Sequence, residues 1–338
     1  MSKASLTRCR TYRYRLHPTM GQIQALTRQL SYQCELYNAA LEERKGAWCW
    51  EERPVTYFDQ CKTLTGLIEA RPEVLSSGVI LCRGTLKRLD RAFAGFYRRV
   101  GNGENPGFPR FKSAQRWDSL QWEDKSGWTL KGAERRLRLL GIGEVKMNYH
   151  RPLVGVPKAI TVKREGTKWW VSVRCVDVPA SPLAPTGQAV GVDLGVVNLV
   201  ALSDGELIMG SHFADRASER LADAQRRLAS KQRGSNRRRR QVEEVARLHS
   251  QVKQQRLNAA HQLSRRLVNE FDLIVVEDLK ITTMVARPRA KPDPESPGDF
   301  LANGAAKKAV LNRSIHDAGW GRTYDHCCPT RPKVPVGQ

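Results

Sequence analysis

Apolar positions along the first hundred residues recur mostly at helical spacing, after a strand-like start. Residues 6–16 alternate, with Arg10, Tyr12, Tyr14 and Leu16 set against Thr11, Arg13 and Arg15, which predicts a strand with a basic face. His17-Pro18-Thr19 interrupts that alternation, and Thr19 is suited to cap a helix. Ile23, Leu26, Leu30, Cys34, Tyr37 and Leu41 then follow at spacings of three and four, the signature of an amphipathic helix. Two further helices are predicted over Phe58–Glu69 and Val79–Val100, the second with Leu81, Leu86, Leu89, Phe93, Phe96 and Tyr97 as its apolar set.

Gly101-Asn102-Gly103 and Asn105-Pro106-Gly107 punctuate the chain, and the pattern beyond them is that of short strands. They are expected over Trp117–Trp122, Thr129–Leu140, Glu144–Asn148, Ala159–Arg164 and Trp169–Val176, a spacing that suggests a small barrel. Trp117, Trp122, Trp128, Trp169 and Trp170 fall in this region, where core or cross-strand packing is favoured over base stacking. After a proline-containing linker over 179–186, three apolar runs read as an antiparallel meander: Ala189–Gly195, Val196–Leu202 and Glu206–Met209. A long helical hairpin is predicted at 213–232 and 240–269, then a strand from Leu273 ending in Glu277, a proline-rich mobile loop over 286–300 and a helix from Ala302 to Asp317.

Charge changes the picture. Lysine and arginine number 57 against 34 acidic residues, a net +23 over 338 residues, which calls for a polyanionic partner, nucleic acid before a membrane surface. No apolar run approaches the roughly 20 residues that span a bilayer, and the basic N-terminus has no apolar signal core. A cytoplasmic, nucleoid-associated protein without a small-molecule substrate is the expectation. Eight cysteines form no C-x-x-C pair, so no zinc ribbon is written here, and most of them are expected to be small core residues. Between 216 and 266, fifteen cations face four acids, with Arg237, Arg238, Arg239 and Arg240 consecutive; nucleic-acid contact is favoured there over a merely solvated face.

The candidate chemistry lies in two apolar segments tipped with acid: Val190-Gly191-Val192-Asp193 and Ile274-Val275-Val276-Glu277. Carboxylates presented at the rim of a sheet suit magnesium, which takes hard oxygen ligands and retains water. Two-metal phosphodiester hydrolysis needs such carboxylates to converge, and an RNase H/RuvC-type nuclease core is the fold that would do it. Asp193 and Glu277 are separated by 84 positions and can meet only if their strands lie side by side. Asp278 is the weaker candidate, because strand alternation turns it to the opposite face.

These segments carry a resemblance. Gly191-Val192-Asp193-Leu194-Gly195-Val196-Val197-Asn198 resembles the first RuvC motif of the TnpB (OrfB) transposon-associated proteins, and Val276-Glu277-Asp278-Leu279 the second. Tyr12–Leu16 with Pro18-Thr19, Lys87–Phe93, Gly107-Phe108-Pro109-Arg110-Phe111-Lys112 and Leu311–Trp320 are similar to further stretches of that family, over about 1–321. The resemblance implies an α+β multidomain protein: a wedge-like β-barrel from 1–16 and 107–180, a helical, helix-turn-helix-like recognition module over 17–106, and a partial RuvC domain over 187–321. It implies DNA and a guide RNA as partners, with sequence read by RNA–DNA pairing. Mg2+ would be held by Asp193 and Glu277, and nucleic acid would be met by Arg13, Arg15, Arg110, Lys112 and the Arg237–Arg240 run.

The family pattern would continue into a zinc ribbon and a third acidic motif. Residues 322–338 resemble neither, Cys327 and Cys328 are adjacent, and Asp325 is the only acid after Asp317. The expectation is therefore a C-terminally truncated copy with impaired cleavage, its end altered by frameshift or deletion. The rival readings are a nuclease-dead RNA-guided DNA-binding repressor, a decayed copy without a stable fold, and a basic DNA-binding protein that uses no guide.

Overall fold

The computed structural model describes residues 8–319 apart from 72, 74–76, 211, 212, 295, 297 and 298. Trp320, Gly321, Asp325, Cys327 and Cys328 lie outside the described residues. The chain divides into two compact units, Met1–Ser181 and Pro182–Gln338.

The first unit opens with β1 (Arg8–His17), followed by three helices, α1 (Met20–Glu51), α2 (Tyr57–Ala70) and α3 (Val79–Gly101). Thr19 starts α1 as expected: its hydroxyl accepts from the Gln22 amide, and the Gln22 side chain accepts from the Thr19 amide in a capping box. Six strands follow: β2 (Ser119–Trp122), β3 (Trp128–Lys131), β4 (Arg136–Leu139), β5 (Gly143–Asn148), β6 (Val156–Glu165) and β7 (Lys168–Val178). With β1 they form one sheet in the order β2-β6-β7-β1-β5-β4-β3, so the chain's first strand lies at its centre. Inward residues from all seven strands join Leu26, Leu30, Tyr37 and Leu41 of α1 and Leu81, Leu86 and Leu89 of α3 in one core, which gives the curled sheet its barrel-like character.

Particular positions depart from the sequence expectation. The Thr129–Leu140 run is two strands, because Gly132–Arg135 makes a turn with Arg135 in the left-handed region at φ 51°. Tyr97 is exposed, on the face of Phe93, while Phe96 and Phe93 receive Phe108 edge-on. Cys34, Cys82 and Cys175 are core residues, but Cys9 and Cys49 are exposed and Cys61 is half-buried. Trp117, Trp122, Trp128 and Trp169 are buried, whereas strand alternation puts Trp170 on the outward face.

The second unit contains β8 (Ala189–Asp193), β9 (Asn198–Leu202), β10 (Leu207–Met209), the helical hairpin α4 (Phe213–Ala229) and α5 (Asn236–Glu270), β11 (Leu273–Val276), the short α6 (Ile281–Met284), β12 (Lys291–Pro292), β13 (Phe300–Leu301) and α7 (Ala305–Ala318). The meander is present, and β11 joins it beyond β8 to give the order β10-β9-β8-β11. Val190, Val192, Val200 and Leu202 pack with Leu263 and Leu267 of α5 and Ile315 of α7. Arg256 on α5 donates through Nε to Asp317 Oδ1 on α7 at 2.8 Å, a largely buried ion pair between the two helices. The stretch 286–300, expected to be a loop throughout, contains three of the four residues of a small ladder, in which Lys291 is opposite Leu301 and Pro292 opposite Phe300. No described helix is long and apolar enough to cross a membrane.

Gly84 sets the approach of α3 to β2: a Cβ there would lie 2.3 Å from the Gln121 carbonyl oxygen. Gly84→Ala is expected to cost about 1–3 kcal/mol through overpacking. Gly66→Ala, in α2 with nothing within 4 Å, should hold or gain stability. Urea midpoints of the two variants check this, and equal midpoints would contradict it.

Tyr14 yields a pH dependence. Burial, then the Tyr149 phenol nearby, pushes its hydroxyl up to about 12 from an ordinary 10.0. The folded state thus keeps a proton that the unfolded state releases, so this contribution is intact below pH 10 and lost as pH rises toward about 12. The urea midpoint should fall less steeply over that window in Tyr14→Phe than in the parent chain.

Candidate functional site

The two acid-tipped strands meet. β11 pairs with β8 in parallel, with Leu273 opposite Ala189, Ile274 opposite Val190, Val275 opposite Gly191 and Val276 opposite Val192. Asp193 ends β8 and Glu277 follows directly on β11, so both acids leave the ladder just beyond the Val276–Val192 pair. Partners in a parallel ladder point to the same face, and alternation puts Val190 and Val192 into the core and Asp193 on the other side. Both carboxylates are exposed. They therefore lie at the carboxyl ends of neighbouring strands, Asp193 on the face away from α5 and α7. Two exposed, adjacent carboxylates are a donor set that fits a hard divalent cation. Among the described residues, no three His, Cys, Asp or Glu side chains are grouped to hold a metal ion.

Local chemistry fixes the backbone beneath Asp193. Gly191 donates to Ser203 Oγ at 2.9 Å, and the Ser203 amide donates back to the Gly191 carbonyl at 3.0 Å. Beyond Asp193, the Gly195 amide donates to the Leu199 carbonyl at 3.3 Å, closing the turn into β9. At the other end of the ladder, the Asp272 carboxylate accepts from the amides of Thr186 and Gly187 at 2.8 and 2.7 Å, and so fixes the entry to β8 beside the start of β11. After Glu277 the chain turns at once, the Leu279 amide donating to the Glu277 carbonyl at 3.0 Å. Strand alternation thus ends before it can orient Asp278.

The predicted cationic residues occupy several settings. Ser235 caps α5 through its hydroxyl, so Arg237–Arg240 lie in the first turns of that helix and not in the hairpin's connection. Arg237, Arg239 and Arg240 are exposed. Arg238 is half-buried and donates through Nη1 to the Leu228 and Lys231 carbonyls at 2.8 and 3.2 Å, satisfying acceptors at the end of α4. Four cations at a helix N-terminus oppose its dipole, an arrangement relieved by an external anion.

In the first unit, Arg110 and Lys112 are exposed on the loop between α3 and β2. The Asn38 side chain pins that loop, accepting from the Lys112 amide and donating to its carbonyl, each at 2.8 Å. Arg13 and Arg15 project from the outward face of β1. The Arg13 guanidinium carbon lies 4.2 Å from the centroid of the Trp170 ring, and its Nη2 is 2.7 Å from Glu165 Oε2. Arg15 is directly opposite Trp170 in the ladder, its guanidinium carbon 5.4 Å from the same ring. Arg136, Arg138 and Lys146 extend this basic outward face onto β4 and β5, all exposed. They were not singled out from the sequence; the signal was the alternation of Arg136 and Arg138 with the buried Leu137 and Leu139.

Comparison with known proteins places this geometry in context. A family model described as OrfB_IS605, probable transposase, matches residues 171–287, which include both acid-tipped strands. A Streptomyces pristinaespiralis protein named “Putative RNA-guided DNA endonuclease” is 31% identical over 317 residues, 92% of this chain and 72% of that protein. The Escherichia coli K12 protein given the same description, InsQ, is 31% identical over 236 residues, 70% of this chain and 56% of the relative. A solved Cas12f1-sgRNA-target DNA complex aligns over 97% of this chain and 86% of that one at 12% identity, with a TM-score of 0.34, too slight a likeness to bear on function.

Gly195 tests the support of the carboxylate strand, because a Cβ there would come 2.4 Å from the Asn198 carbonyl oxygen. Gly195→Ala should lower the melting temperature and speed amide exchange over 190–202, read by hydrogen–deuterium exchange. Unchanged protection of β8 and β9 would contradict this role.

Proposed function

The chain belongs to the TnpB (OrfB) family of transposon-associated proteins, and from that membership we propose that it is an RNA-guided DNA-binding protein whose Asp193 and Glu277 form a divalent-metal site at the rim of an RNase H-like (RuvC) sheet. The observation that carries this reading is the parallel register that brings two acid-tipped strands, 84 residues apart, side by side. The relatives' names supply the activity class, guided DNA cleavage.

In this reading the first unit grips nucleic acid through Arg15, Arg110 and Lys112, with Arg13 on the same basic face beside Arg15, and the second through Arg237–Arg240. A surplus of 23 cationic charges gives both units a counterion-release contribution with any polyanion. Base pairing between guide RNA and target strand then supplies the sequence discrimination that backbone contacts do not. Mg2+ bound between the carboxylates would polarise a phosphate oxygen and lower the pKa of a bound water. Asp193 and Glu277 would orient that ion, and Ser203 and Gly195 would hold the strand that carries Asp193.

Two carboxylates hold one hard cation more readily than a closely spaced pair of them. The described residues thus support guided binding more strongly than cutting, and cleavage by this set is proposed to be lost or severely reduced. The chain spans 72% and 56% of the two relatives, so their full activity is carried over here only as a proposal.

The test is purification of the whole chain, co-expressed with the DNA that flanks its coding sequence. The expected result is a co-purifying RNA of defined sequence and binding to a duplex matched to that RNA. Cutting in Mg2+ should be no faster than with Asp193→Ala. Absence of a bound RNA would remove the guided reading, and Mg2+-dependent cutting abolished by Asp193→Ala would overturn the impaired-cleavage part alone.

A further inference from the structure

We propose that Arg15 is a phosphate anchor on the outward face of the seven-stranded sheet, oriented by the Arg13–Trp170–Glu165 stack beside it. The inference rests on the reading of the chain as a nucleic-acid binder and assigns different roles to two arginines that sequence pattern alone treats alike.

Arg13 is already satisfied. Its guanidinium lies 4.2 Å from the Trp170 ring centroid, and its charge is answered by Glu165 at 2.7 Å. That geometry makes it a positioning residue, which covers one side of the indole and occupies the acid within reach. Arg15 stands opposite Trp170 across the β1–β7 ladder, and its Nε is buried with no hydrogen-bond partner among the described residues. Burial also lowers its pKa from the ordinary value, in keeping with a partly desolvated cation. Another acid on this face, Glu144 of β5, is held by Lys131 at 2.6 Å. Arg15 is thus a partly desolvated guanidinium whose neighbouring carboxylates are engaged elsewhere.

The flanks of Arg15 suit an anion as well. Asn148 is its ladder partner on β5 and is exposed, and the exposed Lys146 lies two residues away on the same face. A phosphodiester offers two non-bridging oxygens to the flat fork of a guanidinium, leaving Asn148 and Lys146 to meet the adjoining backbone. Repeating phosphates match a face on which exposed cations continue onto β4, whereas a lone carboxylate ligand would use only one of them.

The experiment measures binding of the full chain to two labelled probes, a single-stranded RNA and a DNA duplex of the same sequence, over a range of salt. Arg15→Gln is expected to weaken binding about tenfold and to reduce the salt slope by about one. Arg15→Lys should keep the slope and recover only part of the affinity, because it retains charge and loses the fork. A loss confined to the RNA arm identifies the guide as the source of the phosphate, and one confined to the duplex identifies the target; either supports the assignment. Arg15→Gln with parental affinity and slope on both probes would overturn it. If that variant misfolds, Arg15→Lys with full parental affinity on both probes overturns it equally. A parental chain that binds neither probe would instead sink the nucleic-acid reading beneath it.

Discussion

The constraint on which the carboxylate site depends is the parallel pairing of β8 with β11. Because side chains in a strand alternate with a period of two, a slip of one residue would send every side chain of the strand to the other face. At the observed register, Val276 lies opposite Val192, so burying one valine buries the other and both following acids emerge together. Apolar packing against α5 and α7 therefore does more than stabilise the sheet. It selects the alignment that brings the two strand ends, and the acids on them, together.

The surrounding contacts defend that alignment at several points. The carboxylate of Asp272 binds the two amides that lead into β8, and the paired bonds between Gly191 and Ser203 lock β8 against the end of β9. Gly195 permits a turn so tight that a methyl group would strike the Asn198 carbonyl. The Arg256–Asp317 pair ties together the helices whose Leu263, Leu267 and Ile315 cover the opposite face of the sheet. Each of these contacts is made by residues other than Asp193 and Glu277, which are exposed.

Much of this was legible in the sequence because it is periodic. Helical spacing located α1 and α3, and alternation located β1 and its basic face. Apolar runs ending in acid identified Asp193 and Glu277, and the motifs around them identified the family. Elements set by local backbone chemistry were harder to read. The turn at Arg135 splits an unbroken alternation into two strands, and the Ser235 cap draws Arg237–Arg239 into helix where a connection was expected. Long-range pairing was harder still. Alternation with Val171, Val173 and Cys175 separates Trp170 from the buried Trp169, but only its register against Arg15 shows that it supports a cation on the outward face.

The central claim is that Asp193 and Glu277 act as one site, and calorimetric titration of Mn2+ into the parent chain, Asp193→Ala, Glu277→Ala and the double variant tests it most directly. Two ligands of one ion are energetically coupled, so either single substitution should abolish most of the binding and the second should add little. Strictly additive losses, or Mn2+ binding indifferent to both substitutions, would contradict the shared site.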